Sequence, residues 1–111
     1  MMKNKLTEIS HEEVTKAFSA LAQETRLKII SILVNEGESG LCPCHLVEDL
    51  DISNANLSFH LKELENAGLV SKKRAGKYNH YRVNNELLNN LSDILASYSD
   101  TYEKTKGNCT C

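Results

Sequence analysis

The four cysteines of this sequence form two closely spaced pairs, and their thiols are the groups best suited to hold a metal ion or to respond to oxidation. One pair is Cys42-Pro43-Cys44 and the other is Cys109-Thr110-Cys111. Neither spacing is the C-x-x-C of structural zinc sites or thioredoxin-type motifs. The first residues contain no apolar stretch of the kind that forms a secretory signal, so we expect a cytoplasmic chain with reduced thiols. The pairs therefore predict metal binding or redox sensing rather than a disulfide framework.

Pro43 decides whether Cys42 and Cys44 can act together. Inside a regular helix, residues two apart point in nearly opposite directions and could not grip one ion. Proline is favoured as the first residue of a helix, where an N–H would have no partner anyway. A helix that begins at Pro43 leaves Cys42 outside as its cap, so both sulfurs can converge. The positive end of the helix dipole is then expected to favour the thiolate forms.

The positive charge of the chain is concentrated in one segment, although the whole sequence has a net charge of −2. From Ser53 to Val83 there are six basic and two acidic residues, a balance of +4, which leaves −6 for the rest. Between Ser71 and Val83 there is no acidic residue. Such a segment can face a polyanion such as double-stranded DNA while the remaining surface repels it.

The elements that must position these residues are predicted to be mainly helical. A chain of 111 residues has room for one domain, which we assign to residues 1–105, followed by a cysteine-containing tail at 106–111. Helical spacing of apolar residues predicts a helix over Glu12 to Leu21 and a second from Glu24, apolar around most of its circumference. A third helix from Pro43 to Leu50 and a fourth capped by Ser53 are joined by a very short turn, as in a helix-turn-helix.

Beyond the fourth helix, which Gly68 is expected to end, the sequence predicts a β-hairpin and a last helix. The strands are Val70–Arg74 and Tyr78–Val83, on either side of a glycine-containing turn. The last helix carries an apolar stripe that we expect a second copy of the chain to cover. This predicted dimer interface comprises Leu87, Leu91, Leu95 and Tyr98. The predicted fold is a winged helix-turn-helix, mainly α with a small β-hairpin, in the order α-α-α-α-β-β-α.

Three segments, Ala20–Ile30, Leu57–Val70 and Gly76–Val83, occur in this order around the predicted helix-turn-helix and hairpin. Together they resemble the ArsR/SmtB family of bacterial winged-helix metalloregulatory repressors, over a span from Val14 to Leu95. The resemblance implies a homodimer, joined through its first and last helices, that binds an imperfect DNA palindrome in the apo state. An inducer would release the DNA. The resemblance implies no enzymatic activity.

A recognition helix reads base edges through its early, outward residues, because its N-terminal end enters the major groove. Asn can pair with adenine, and Ser can reach a base or a phosphate. Cations of the hairpin, or wing, suit phosphate contacts, which position the protein without reading sequence. Core positions on the helix are assigned to Leu57, Phe59, Leu61 and Leu64. The DNA-binding candidates are Ser53, Asn54, Asn56, Ser58, His60 and Lys62 on the helix, and Lys72, Lys73, Arg74, Lys77 and Arg82 on the wing.

The resemblance also implies an inducer site at the first cysteine pair. Arsenic-sensing members carry C-x-C at the start of the helix before the recognition helix, followed by a third cysteine one turn later. Here Cys42 and Cys44 match, but the third position is Val47. As(III) and Sb(III) favour three thiolates, so a third sulfur would have to come from Cys109 or Cys111. The carboxylate and histidine ligands that hold zinc on the last helix of other members are absent here, which disfavours a zinc sensor.

Three other functions fit parts of the pattern. The cysteines could form a disulfide or polysulfide link in a thiol-switch repressor of the same fold. Four thiolates would also suit Cd(II), Pb(II) or Cu(I). A small thiol oxidoreductase or metal carrier would explain the cysteines but not the basic wing, and the chain lacks a thioredoxin-like alternation of strands and helices. The leading prediction is an operator-binding repressor induced by As(III) or Sb(III), with no organic cofactor and no membrane partner.

Overall fold

The computed structural model describes residues 9–105, including the side chains of 9–99, as five α-helices and one two-stranded antiparallel sheet. The order of elements confirms the predicted winged helix-turn-helix. A 3₁₀ turn, Gly37–Ser39, lies between the second and third helices. No helix in this part of the chain is long and apolar enough to cross a membrane. The bounds are α1 His11–Leu21, α2 Glu24–Glu36, α3 Pro43–Leu50, α4 Asn54–Asn66, β1 Val70–Ala75, β2 Tyr78–Val83 and α5 Asn85–Thr105.

Side-chain caps begin the first two helices. Ser10 and Glu13 form a capping box at α1, in which each side chain accepts the other residue's backbone N–H at 3.1 Å. At α2 the Gln23 side-chain oxygen accepts from the Arg26 N–H at 2.9 Å. These local bonds satisfy N–H groups that have no partner inside the helix. They place the start of α1 one residue before the predicted Glu12.

The helix α2 is apolar around most of its circumference but is only partly enclosed by this chain. Ile29, Ile30 and Leu33 are buried, whereas Leu27 and Val34 are exposed. The two exposed residues are seven apart and therefore lie on one face of the helix. This chain alone leaves that apolar face in solvent.

The helices α3 and α4 form the helix-turn-helix. α3 begins at Pro43 with Cys42 as its cap, as predicted, and Leu46 anchors it in the core. Asp51 adopts a left-handed conformation at φ 55° and turns the chain toward α4. The Ser53 hydroxyl then accepts from the Asn56 N–H at 3.0 Å, which confirms the predicted cap.

The recognition helix α4 is fixed along its length and at its end. Leu57, Leu61 and Leu64 are buried, which confirms the predicted stripe. At its C-terminus the Gly68 N–H donates to the Glu65 carbonyl and the Leu69 N–H donates to the Leu64 carbonyl, each at 3.0 Å. These two bonds form a Schellman motif, which requires the left-handed φ of 81° that Gly68 adopts.

The wing is a β-hairpin that is buried only at its base. Val70 lies opposite Val83 at the base, and Ala75 lies opposite Tyr78 next to the Gly76-Lys77 turn. Val70 and Val83 are buried, while residues 71–79 are all exposed. The hairpin therefore projects its tip into solvent.

The last helix, α5, divides the predicted apolar stripe between two environments. Leu87 and Leu91 are buried in the core of their own chain together with Ile94. Leu95 and Tyr98 are each 53% exposed. This corrects the assignment of Leu87 and Leu91 to a dimer interface, because side chains already covered within the chain have almost no surface left to offer a partner.

Candidate nucleic-acid interface and thiol site

The outward side of α4 carries most of the predicted base-reading side chains. Ser53 begins the helix, and its hydroxyl is engaged as the cap. The remaining polar residues follow along the helix, and their exposed amide, hydroxyl and ammonium groups can reach base edges or phosphates. They are Asn54, Asn56, Ser58 and Lys62, all exposed.

His60 differs from these residues because it is partly buried and engaged within the chain. Its Nδ1 lies 3.3 Å from Arg26 Nη1, and Arg26 Nε in turn donates to the Ala20 carbonyl at 2.7 Å. A guanidinium can only donate, so Nδ1 is the acceptor and the proton of the neutral ring is on Nε2. Burial, and then the Arg26 charge, lower the pKa of His60 below its ordinary value. The contact with Arg26 corrects the fully outward placement predicted for His60, and its contact with DNA stays a prediction.

The structure contradicts the predicted core position of Phe59. Its side chain is 57% exposed, although it is one of only two phenylalanines in the chain. Helical geometry explains the error: Phe59 is two residues from both Leu57 and Leu61, and residues two apart point in nearly opposite directions. The spacing of the leucines was therefore sufficient to place Phe59 on the outward side.

The five predicted wing cations fall into two groups. Arg82 donates to Glu38 Oε1 at 2.7 Å, and Lys72 lies 4.0 Å from Glu65 Oε2. Arg82 thereby joins the base of the wing to the 3₁₀ turn rather than standing free. Within residues 9–99, no ion pair joins the other three to a carboxylate, and all three are exposed. They are Lys73, Arg74 and Lys77, at or near the tip.

The sulfurs of Cys42 and Cys44 converge at the first turn of α3, as predicted. Cys44 Sγ lies 2.9 Å from Cys42 Sγ, and the Cys44 N–H donates to the same Cys42 sulfur at 3.4 Å. Cys44 is exposed and Cys42 is partly buried, and both are free thiols. The hydrogen bond to the Cys42 sulfur, followed by desolvation, raises the pKa of the Cys44 thiol. For Cys44, the predicted preference for the thiolate is therefore wrong.

A backbone bridge connects this cysteine pair to the wing. Leu41, the residue before Cys42, exchanges two backbone hydrogen bonds of 2.9 Å with Tyr81 on the free edge of β2. Gly40 packs against the same strand, where a Cβ would lie 2.9 Å from the Tyr81 carbonyl oxygen. The cysteine pair thus lies at the junction between the helix-turn-helix and the wing. The sequence alone does not indicate the roles of Gly40, Leu41 and Arg26, because their partners are far away along the chain.

The described residues supply two convergent sulfurs but no complete metal site. No cluster of three or more His, Cys, Asp or Glu side chains that could hold an ion occurs in this part of the chain. The predicted ligands Cys109 and Cys111 lie outside the described residues. The pair fits a thiophilic ion in donor type, because both groups are soft sulfur ligands within reach of one atom.

A capped helix-turn-helix followed by a basic hairpin defines a winged helix-turn-helix DNA-binding domain. The family model described as "Bacterial regulatory protein, arsR family" matches residues 23–72. The chain is 34% identical over 98 residues to the cadmium resistance transcriptional regulatory protein CadC of Listeria innocua, with 88% of this chain and 81% of that protein covered. It is 30% identical over 103 residues to the arsenical resistance operon repressor of Staphylococcus xylosus, with 93% and 92% covered.

Two solved structures also resemble this chain. An ArsR-like transcriptional regulator from Rhodococcus sp. RHA1 matches with a TM-score of 0.77 at 25% identity, over 89% of this chain and 91% of that one. The homodimeric winged helix-turn-helix domain Mb0332 from Mycobacterium bovis shares the fold, with a TM-score of 0.66 at 18% identity over 98% and 97% of the two chains. The chain belongs to the ArsR family of bacterial DNA-binding transcriptional repressors.

Proposed function

We propose that the chain binds operator DNA as a homodimer and releases it when As(III) or Sb(III) binds to Cys42 and Cys44. The observation that carries this proposal is the convergence of the two sulfurs, 2.9 Å apart, at the cap of α3. Soft thiolate ligands favour thiophilic ions. The described residues offer no third ligand, so one sulfur of Cys109 or Cys111 is proposed to complete the site.

The chain's own contacts supply a route from the cysteines to both DNA-binding elements. The Cys42 sulfur caps α3, which precedes the recognition helix, and Leu41 is bonded to β2 of the wing. A displacement of the Cys42 sulfur therefore disturbs the first turn of α3 on one side and the wing base on the other. Typical allosteric coupling of about 1–3 kcal/mol corresponds to a loss of DNA affinity of about 5- to 150-fold.

The proposed dimer rests on the apolar surface that α5 leaves exposed. Leu95 and Tyr98 are three residues apart and lie on one face. Two linked copies are also what a palindromic site requires, and a structural neighbour is itself a homodimer. Introducing Glu at both positions is expected to give monomers in size exclusion with light scattering. The matched control is Leu27→Glu, a charge on the equally exposed α2 face, which should remain dimeric. A wild-type monomer at micromolar concentration would contradict the proposed assembly.

The inducer site is tested by fluorescence anisotropy on reduced protein, with a duplex selected by the wild type from a randomised pool. Serine at position 42 keeps an oxygen that caps α3 while removing the thiol. We therefore expect Cys42→Ser and Cys44→Ser to bind DNA normally but to lose release by arsenite. His45→Ala, one residue beyond the pair and exposed, is the matched control and should respond as the wild type does. If the double Cys42/Cys44 variant still released DNA at the wild-type arsenite concentration, the proposed site would be wrong.

The tail cysteines have a separate test. Cys109→Ser and Cys111→Ser should each weaken the response less than Cys42→Ser does, provided that either tail sulfur can serve as the third ligand. X-ray absorption of the arsenite complex should report three sulfur neighbours in the wild type and two in the double tail variant. Three sulfur neighbours in that variant would exclude the tail as the source of the third ligand.

Cadmium is a second candidate inducer, and the relative named as a cadmium resistance regulator favours it. Cd(II) is also a soft ion that accepts thiolates. Parallel titrations of the DNA complex with arsenite and with cadmium separate the two candidates. Release at a much lower concentration of cadmium than of arsenite would replace the arsenic assignment while leaving Cys42 and Cys44 as ligands.

A further inference from the structure

The middle of the outward face of α4 is apolar, although its surroundings are polar. Leu57, Leu61 and Leu64 define the buried face. Ala55 and Phe59 lie four residues apart on the opposite side, and both are exposed. Phe59 is not among the partly buried side chains that pack against the core. A large apolar ring therefore stands in solvent at the centre of the helix that is proposed to enter the DNA.

An exposed aromatic ring at this position gains free energy only when a partner removes it from water. The major groove presents one apolar group, the C5-methyl of thymine, and Ala or Phe side chains are among those that contact it. The helical neighbours of Phe59, three and four residues away, are Ala55, Asn56, Lys62 and Glu63. Asn56 and Lys62 suit polar base edges and phosphates. The outward face of α4 thus offers polar groups at its borders and an apolar group at its centre.

We propose that Phe59 is a specificity-determining residue that selects thymine by packing on its C5-methyl group in the major groove. This inference rests on the proposed operator binding and names one base contact of that interface. The ring packs on the methyl group within the major groove and does not insert between base pairs.

Contacts within the chain help to fix the position of the Phe59 ring. The rings of Phe59 and His60 meet edge to face, with centroids 5.3 Å apart and planes at 61°. His60 is in turn held by Arg26, which is bonded to the Ala20 carbonyl at the end of α1. His60 and Arg26 are therefore positioning residues, while Phe59 makes the contact with the base.

The first experiment finds the thymine. Wild-type protein and Phe59→Ala are each used to select duplexes from a randomised pool, and the enriched sequences are compared. We expect the wild type to enrich thymine at one position of each half-site, and Phe59→Ala to lose the preference at that position alone. Phe59 is exposed, so the variant should keep its fold, and its circular dichroism and thermal midpoint check this.

The second experiment removes only the methyl group. Deoxyuridine replaces the selected thymine, because uracil keeps the O4 acceptor and the base pairing. A methyl contact is worth about 0.8 kcal/mol, so wild-type affinity should fall about fourfold for one replacement and roughly tenfold or more when both half-sites are changed. Phe59→Ala should bind the two duplexes equally, whereas Phe59→Leu should keep part of the difference. The matched control is Tyr78→Ala, an exposed aromatic residue of the wing, which should keep the full ratio.

The outcomes separate this inference from the function on which it rests. Enrichment of a clear site that binds equally well with thymine or uracil would overturn the role of Phe59 alone. A thymine-to-uracil ratio that persists in Phe59→Ala would overturn it as well, because another side chain would then contact the methyl. If the wild type enriched no sequence at all, operator binding and the inference would both be overturned.

Discussion

The recognition helix and the wing differ in their charge and in how firmly the fold holds them. Neutral side chains dominate the outward face of α4, and that helix is held by a cap at Ser53, a buried leucine face and a Schellman motif at Gly68. Within residues 9–99, three cations near the tip of the wing have no carboxylate partner, and the wing is buried only at its base. Base edges demand side chains in fixed positions, whereas a phosphate contact depends mainly on charge.

The two regions are therefore expected to govern different properties of binding. Changes on α4 should alter which sequence is bound, and changes at the wing tip should alter how tightly any DNA is bound and how strongly salt competes. They meet at the cysteine pair, because Leu41 is bonded to β2 while Cys42 caps α3. An inducer at this junction is placed to affect both properties at once.

The largest expected effect comes from the core of α4. Leu64 has no exposed surface, so Leu64→Ala should lower the free energy of unfolding by about 2–5 kcal/mol. Chemical denaturation monitored by circular dichroism measures the loss. Lys73→Ala at the exposed wing is the matched control and should change stability by no more than about 0.5 kcal/mol. Equal losses in the two variants would show that the helix and the wing do not differ in their anchoring.

A smaller effect is expected at the base of the wing. Gly40 has a φ of 75°, and an added Cβ would approach the Tyr81 carbonyl oxygen to 2.9 Å. Gly40→Ala should therefore lower the free energy of unfolding by about 1–3 kcal/mol and displace β2. Gly37→Ala is the control, because Gly37 has a similar φ of 69° but nothing within 4 Å of an added Cβ. If both variants lose the same stability, the contact with β2 contributes nothing beyond backbone strain.

The sequence predicted those features of the two regions that depend on near neighbours. Ser53, Pro43 and Gly68 act on backbone groups within a few residues, so their types and spacing were enough to locate the caps. The leucine stripe of α4 likewise follows from helical periodicity. The same periodicity places Phe59 on the outward side of the helix, so its predicted core position is wrong.

The contacts that the sequence did not predict join residues distant along the chain. Arg26 lies 34 residues from His60, and Arg82 lies 44 residues from Glu38. Considered alone, each of these four residues has the type and spacing of a surface residue. Only the packing of the helices and the wing determines which residue each of them contacts. The same packing determines how much of α5 is buried, which is why its stripe divides after Ile94.

Substitution of a wing cation is expected to weaken DNA binding while leaving the stability of the fold almost unchanged. Replacing Arg74 by Ala should reduce the slope of log affinity against log salt by about 0.9 for each lost phosphate contact, or about 1.8 for a homodimer. Arg82→Ala is the matched control, because Arg82 is already paired with Glu38 and should change the slope less. Anisotropy titrations at several salt concentrations compare them. An equal change of slope in both variants would place Arg82 on a phosphate too.

The smallest expected effect is a pH dependence of stability from His60 in α4. Its pKa is lowered in the folded chain by burial first and by the Arg26 charge second. The unfolded chain therefore binds the proton more readily, so the free energy of unfolding decreases as the pH falls below about 6.5 and levels off below the folded pKa. Above that window both states are neutral at this residue, and its full contribution is present. Denaturation of the wild type and of His60→Asn between pH 7.5 and 5 measures the difference.

The Arg26 contact determines how this pH dependence should respond to a second substitution. Arg26→Gln removes the like charge but leaves His60 partly buried, so the dependence should shrink without disappearing, since burial is the larger cause. DNA affinity of the same variants shows whether the contact also matters for recognition, because the Nδ1 acceptor that faces Arg26 is lost when the ring is protonated. If wild type and His60→Asn had the same pH dependence, His60 would be as open to solvent as the wing, and the contrast between the two regions would not extend to this residue.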